Sequence, residues 1–383
     1  MVRYLRAANV KDGILDLTDV QSMNFTPNEQ AIFSLKPGDV LVTEGSGSLT
    51  SVGAAAVWRG ELDGTICFQN TLLRLRPRAG VDGRYLEWWA RAAFGAGVFA
   101  SIASGANIYH VSAERVRALP ISLPSSEEQR RIADFLDAET ARIDQMVDLR
   151  ESQQQILAAR YRTVVRDAFA GLSSGLPTRL KYLLKARPRY GVLVPQFVDD
   201  GVKFIRVNDL HDLTGRASGL TMIPMGLSKQ YSTTILREGD VLVSVVGTLG
   251  RAAVVPTSLR GANVNRAIAV LRPRSDVGQE LLTAWIGSEE FEAQALLATG
   301  NDSAQRTLGM EDMANFRLTW PADPSERDGL VSSISRAQAA IRAVSARVSK
   351  QQEVLAERRQ ALITAAVTGQ IDVSTASGRG IES

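Results

Sequence analysis

Few residues in this 383-residue chain are spaced for covalent chemistry. Asp39 and Glu44 stand on one strand-turn, as a nuclease's carboxylates would, yet no Lys follows Glu44 at the required position. The Gly38-Asp39 pair reads instead as a turn before a strand. Phe94-Gly95-Ala96-Gly97 approaches a glycine-rich cofactor loop, but the sequence has no Asn-Pro-Pro-aromatic motif for attack on adenine. Gly45-Ser46-Gly47 and Gly247-Thr248-Leu249-Gly250 lack the Lys-Ser/Thr that completes a phosphate loop. His110 and His211 are isolated, with no carboxylate or Cys spacing suited to zinc, so no metal site is expected. The single cysteine, Cys67 in Thr65-Ile66-Cys67-Phe68, reads as a small buried hydrophobe. One cysteine excludes an internal disulfide framework and fits a reducing cytoplasm. The expectation is a chain without a catalytic site or bound cofactor of its own.

The totals fit that expectation. The chain is 45% hydrophobic and 22% charged, and long enough for two domains with separate cores. No apolar run reaches the roughly 18 residues of a membrane span, and Met1-Val2-Arg3-Tyr4 opens no signal pattern. A net charge of +3 leans only slightly basic. Two local clusters stand out: Arg74, Arg76, Arg78 and Arg84, then Arg179, Lys181, Lys185, Arg187 and Arg189. Either is equally well read as solvated surface.

The elements that carry these residues occur twice. Tyr4-Leu5-Arg6-Ala7-Ala8-Asn9 is echoed by Phe204-Ile205-Arg206-Val207-Asn208, and Pro37-Gly38-Asp39-Val40-Leu41-Val42 by Glu238-Gly239-Asp240-Val241-Leu242-Val243. Leu75-Arg76-Pro77-Arg78 returns as Leu271-Arg272-Pro273-Arg274, and residues 119–124 return as 316–321. A period of roughly 200 residues is far beyond solenoid repeats and implies a whole domain plus linker duplicated in tandem. Each copy runs from short strands with Gly-Asp turns through a short helix (Tyr85-Leu86-Glu87-Trp88 or Leu281-Leu282-Thr283-Ala284) to a proline and a long helix.

Ser125 followed by Glu128 predicts a capping box for the first long helix, with Gly171 as its stop; Ser325 followed by Asp328 predicts a weaker one for the second, which ends before Gly369. A helix to Ala170 would be roughly 65 Å long and must bury a stripe against something equally long. The expected seam is Leu136, Ile143, Leu157 and Val164 in the first helix, with Arg150 in the same column, and Ile334, Ile341, Val348, Leu355 and Leu362 in the second. Mutual antiparallel pairing of the two helices accounts for this better than each packing on its own domain. The predicted class is α+β: two similar domains separated by two long helices in an antiparallel coiled coil. The expected layout is residues 1–124 for the first domain, 125–171 for the first helix, 172–321 for the second domain, 322–369 for the second helix, and a 370–383 tail.

This pattern resembles the type I restriction enzyme specificity subunit over nearly the whole chain. It is carried by Tyr4-Leu5-Arg6-Ala7-Ala8-Asn9-Val10, by Gly38-Asp39-Val40-Leu41, and by Leu119-Pro120-Ile121-Ser122-Leu123-Pro124 before Glu127-Glu128-Gln129-Arg130-Arg131-Ile132. The resemblance implies two target recognition domains reading the halves of a bipartite site in double-stranded DNA. It further implies a coiled-coil spacer that docks two methyltransferase subunits, with restriction subunits joining them. S-adenosylmethionine, ATP and Mg would then be held by those partners, which perform adenine methylation or ATP-dependent cleavage in the cytoplasm. About 25 residues, 180–202, precede the second Phe204-Ile205-Arg206 strand, against three before Tyr4, so the first domain is expected to lack an opening segment. The alternatives are a non-catalytic coiled-coil interaction scaffold and a stand-alone methyltransferase or nuclease.

Base reading draws on Arg, Asn, Gln and hydroxyl side chains on loops and helix ends. The candidates are Arg6, Asn9, Ser46, Ser48, Gln69, Asn70 and Asn107 in the first domain, and Arg206, Asn208, Thr248, Arg251, Asn263, Asn265, Arg266 and Gln305 in the second. Arg6 and Arg206, and nearly Asn9 and Asn208, hold matching repeat positions. That favours phosphate contact or a role in the fold, since the two halves of a site usually differ. The polar loop 300–306 and its counterpart 104–107 are the stronger candidates for contact.

Overall fold

The structure, a computed structural model, describes residues 1–300 and 306–373. Both Gly-Asp turns feed a fully buried strand, Val40–Thr43 in one repeat and Val241–Ser244 in the other. Continuous apolar runs of this length are what a strand covered on both faces requires. Val40–Thr43 pairs antiparallel with Ala55–Val57 and Leu72–Leu75. Val241–Ser244 pairs in the same sense with Ala252–Val254 and Ile268–Leu271, and Arg189–Tyr190 adds a fourth strand beside Ile268–Leu271. A second small sheet also recurs. Val2–Leu5 lies antiparallel to Gln21–Met23 and parallel to Ile66–Phe68. Val202–Ile205 lies antiparallel to Met222–Ile223 and parallel to Asn263–Val264. The sequence repeat is thus a repeat of topology.

Two of the repeated motifs turn out to hold each other. Asp39 is 1% exposed and accepts from Lys36 N at 2.8 Å and from Arg76 through Nε at 2.7 Å and Nη2 at 2.6 Å. Asp240, 2% exposed, accepts from Arg237 N and from both Arg272 Nε and Nη2, all at 2.9 Å. A bidentate guanidinium on a buried carboxylate fixes geometry as well as charge, which ties the Leu-Arg-Pro-Arg strand to the Gly-Asp turn in both copies. Gly38 and Gly239 take φ of +93° and +79° in those turns, a conformation that glycine adopts without penalty.

The chain forms two units, Met1–Glu151 with Val348–Ser383, and Ser152–Arg347. The division falls inside both long helices, Ser126–Ala170 and Pro324–Val367, so each unit holds half of each. In the first unit Ile132, Ala133 and Leu136 share one buried cluster with Ile363, Ala366 and Val367, against Tyr85 and Trp88 of the short helix Gly83–Gly95. Farther along, Arg359 Nε lies 3.3 Å from Asp144 Oδ1 and its Nη1 3.6 Å from Asp12 Oδ2. Arg91, 5% exposed and 4.2 Å over the Trp88 ring, reaches the same Asp12 at 3.1 Å. In the second unit Val165 and Ile334 share a core, and Gln154 and Ser345 exchange two hydrogen bonds, Gln154 Nε2 to Ser345 O at 2.9 Å and Ser345 Oγ to Gln154 Oε1 at 2.6 Å. Residue numbers rise along one helix as they fall along the other, so the pairing within each unit is antiparallel.

Of the expected seam, Leu136, Ile143, Ile334 and Val348 are buried, while Leu157, Val164, Ile341, Leu355 and Leu362 are half-buried, as is Arg150. The first helix begins as its sequence predicts, with Ser125 Oγ accepting from Glu128 N at 3.2 Å. The second does not. Its cap is Asp323, whose Oδ1 accepts from Ser325 N at 2.9 Å. Pro324 at the first helical position has no N–H to satisfy and is already set to the helical φ, which moves the cap one residue ahead of it. Glu326 is drawn instead to the turn after the first helix, where it accepts from Ser173 N at 2.7 Å and Ser174 N at 3.0 Å; with both hydroxyls, these bonds lower its pKa to about 2.

Removing either buried carboxylate leaves a guanidinium without its counter-charge, a loss of about 3 kcal/mol for a broken buried pair. Asp39→Ala and Asp240→Ala should each lower the unfolding free energy by that amount, read as a lower urea midpoint at unchanged m-value, with similar effects because the arrangement is the same.

Candidate nucleic-acid interface

One end of each central sheet gathers the polar loops. In the first unit the strand Val40–Thr43 runs into Glu44, whose N–H donates to Thr71 O at 2.9 Å and whose carbonyl accepts from Val111 N at 2.9 Å. Gly45–Ser46 pairs with Tyr109–His110, and Gln69 N donates to Leu5 O at 2.8 Å. Ser46, Ser48, Gln69, Asn70, Asn107 and Arg6 are therefore brought to one end of the unit by four separate stretches of chain. Asn70 and Asn107 are exposed, while Ser46, Ser48, Gln69 and Arg6 are half-buried. Ser48 Oγ lies 2.7 Å from Thr50 Oγ1, and Arg6 is ion-paired with Asp19. Burial pushes the Glu44 carboxyl above its ordinary range, with the His110 charge pulling it back.

The second unit builds the same end. Val245 N donates to Ala267 O at 2.8 Å, Gly247 N to Arg306 O at 3.0 Å, and Asn265 N to Ile205 O at 2.9 Å. Thr248, Arg251, Asn265, Arg266 and Arg206 converge here, with Thr248, Arg266 and Arg206 exposed. Arg306 joins them. It closes the polar loop that the sequence marks, but its charge alone did not single it out. Arg216 also belongs to this surface: it lies 3.7 Å from Asp209, as does Arg206. Burial first, then the Arg251 and Arg216 charges, hold the His211 imidazole below its ordinary pKa. The environment is cationic and suits phosphate oxygens.

Two candidates, Asn9 and Asn263, are used up inside the fold. Asn9 is 3% exposed; its Oδ1 accepts from Arg6 N at 3.1 Å and its Nδ2 donates to Asp16 O at 2.8 Å. Its repeat counterpart is Asp209, which accepts from Arg206 N at 2.8 Å, and not Asn208, which is exposed. A turn needs only an acceptor three residues after the arginine, so Asn and Asp interchange there. Asn263 is fully buried and accepts from Ser228 Oγ at 2.6 Å. Gln305 lies outside the described residues. The basic clusters also divide: Arg74 donates to Ile32 O and Ser34 O, Arg76 to Asp39, and Arg84 pairs with Asp134 and Asp137. Arg179 and Lys181 both donate to Asn315 Oδ1, and Arg179 is exposed together with Lys185, Arg187 and Arg189. Cys67 is buried, which pushes its thiol pKa up.

No protein-family profile matches the chain. Among curated proteins it is 26% identical to the type I restriction enzyme EcoBI specificity subunit of Escherichia coli over 246 residues, 57% of this chain and 52% of that protein. It is 30% identical to the StySPI specificity subunit of Salmonella potsdam over 182 residues, 46% of this chain and 37% of that one. The chain is a relative of the type I restriction enzyme specificity subunits. It spans about half the length, or less, of the curated relatives it matches. A solved chain from a type I restriction–modification system has the same fold, with a TM-score of 0.65 at 18% identity over 97% of this chain and 92% of that one.

The cationic surroundings of His211 can be read directly. Arg251→Ala should raise the His211 pKa toward the ordinary imidazole value. The His211 titration curve is read by NMR, and an unchanged curve would place Arg251 outside this surface.

Proposed function

We propose that the chain is a DNA-specificity subunit whose two units read the two halves of a bipartite site. The observation that carries this reading is the recurrence of one loop cluster at the same end of the same sheet in both repeats. The clusters differ in the side chains they present: Asn70, Asn107 and Gln69 in one, Thr248, Asn265, Arg251 and Arg266 in the other. A shared scaffold with different amides and guanidiniums suits two half-sites of different sequence. The antiparallel long helices would serve as the spacer and as the docking surface for two methyltransferase subunits, joined by restriction subunits. On this reading S-adenosylmethionine, ATP and Mg belong to those partners, the chain contributes recognition alone, and the complex works in the cytoplasm. No described helix is long and apolar enough to cross a membrane.

A DNA library selected on the chain assembled with its methyltransferase subunits should yield two fixed blocks separated by a constant spacer. Arg266→Ala should cost about 1–3 kcal/mol of base discrimination in one block only, and Asn107→Ala should act on the other. Binding without sequence preference would instead favour the interaction scaffold.

A further inference from the structure

The two repeats fill one corresponding place differently. In the first unit Trp88, 2% exposed, donates from Nε1 to Asp137 Oδ1 at 3.0 Å. Arg91 lies over its ring and reaches Asp12 through Nε, while Arg359 joins Asp12 to Asp144. The repeat carries Trp88 and Arg91 onto Ala284 and Gly287, and Asp12 onto Asp212. In the long helices the buried residues Leu136 and Ile363 answer to Ile334 and Val165. The same step carries Asp137, Asp144 and Arg359 onto Ser335, Arg342 and Tyr161. Acceptors are thus kept in the second unit, as Asp212 and Ser335, while neither the ring nor the guanidinium recurs. A cavity of about 280 Å³ lies there, lined by Asp212, Ala284, Ser335, Arg342, Tyr161 and Glu280. Leu281, Val331 and Ile334 give it an apolar wall. Among the described residues lining it, two carboxylates, Asp212 and Glu280, face one guanidinium, Arg342, so a guest with a single positive charge balances it.

We propose that this cavity binds a small aryl-alkyl cation. Its flat ring takes the place that Trp88 fills in the first unit, with a ring N–H toward Ser335. Its cationic amine takes the place of the Arg91 guanidinium, beside Asp212. Burial of the ring supplies affinity, and a charge-assisted hydrogen bond to the carboxylate supplies orientation. Ring-sized cavities with an apolar wall and a few polar groups are ordinary small-molecule sites. The inference does not rest on DNA reading, and its test contains no DNA.

The probe is tryptamine, titrated onto the full chain and followed by thermal unfolding and NMR. Saturable binding is expected, with a concentration-dependent rise in Tm and movement of the resonances of His211, which also lines the cavity. Indole alone and ethylamine alone should each bind more than tenfold more weakly. Ala284→Trp, which supplies the ring that the first unit already carries, should abolish binding. Asp212→Asn keeps the oxygen that accepts from Gly215 N at 2.8 Å and removes the charge. It should weaken tryptamine more than tenfold and leave indole unchanged, which decides the matter even if Ala284→Trp does not fold. The proposal is overturned if tryptamine fails to saturate at millimolar concentration, or if Ala284→Trp binds it normally. Equal effects of Asp212→Asn on tryptamine and indole would overturn it too.

Discussion

A 45-residue helix with a largely polar surface has no reason to persist alone, and the pairing of two such helices is the constraint on which the remaining structure depends. In the first unit the stripe around Leu136 is covered by Ile363 and Ala366 and capped by Tyr85 and Trp88. In the second, Val165 and Ile334 join the same core as Trp285 and Phe316. Each domain therefore completes its core with halves of both helices, and neither helix is a simple linker. Polar groups on the seam specify it further. The Gln154–Ser345 exchange is satisfied only in one register, as is the Arg359 contact with Asp12 and Asp144. Such seam polarity fixes register at some cost in stability.

The placement of the polar loops follows from that framework. Each central sheet has one end committed to the Gly-Asp turn and its arginine, and the other free to carry loops. Asp39 and Asp240 are consumed in bidentate pairs with Arg76 and Arg272, so their role is to lock the turn. The opposite end can then vary in sequence without disturbing the core. That separation lets one scaffold present Asn70 and Asn107 in one unit and Arg251 and Arg266 in the other.

Much of the fold was legible in the sequence because duplication doubles every signal. The Gly-Asp and Leu-Arg-Pro-Arg motifs, the stop at Gly171, the Ser125 cap and the aliphatic heptads were all visible from residue type and spacing. The site was legible only in part. Asn9 and Asn263 are amides of the right type whose hydrogen bonds are spent inside the fold, and residue type alone cannot separate a buried acceptor from an exposed reader. The cap at Asp323 was missed because Asp and Ser cap about equally well, and it is Pro324 that decides between them. The Asp39–Arg76 bond spans 37 residues, so no local pattern shows it, although the two motifs recur together. The equivalence of Asn9 with Asp209 was hidden by a one-residue drift in the repeat.

The measurement that bears most directly on the helix pairing is a cysteine cross-link in a Cys67→Ala background. Gln154→Cys with Ser345→Cys should oxidise rapidly to a single intramolecular disulfide, while Gln154→Cys with Ala365→Cys should not. Failure of the first pair to close, or equal closure of both, would contradict an antiparallel seam in this register.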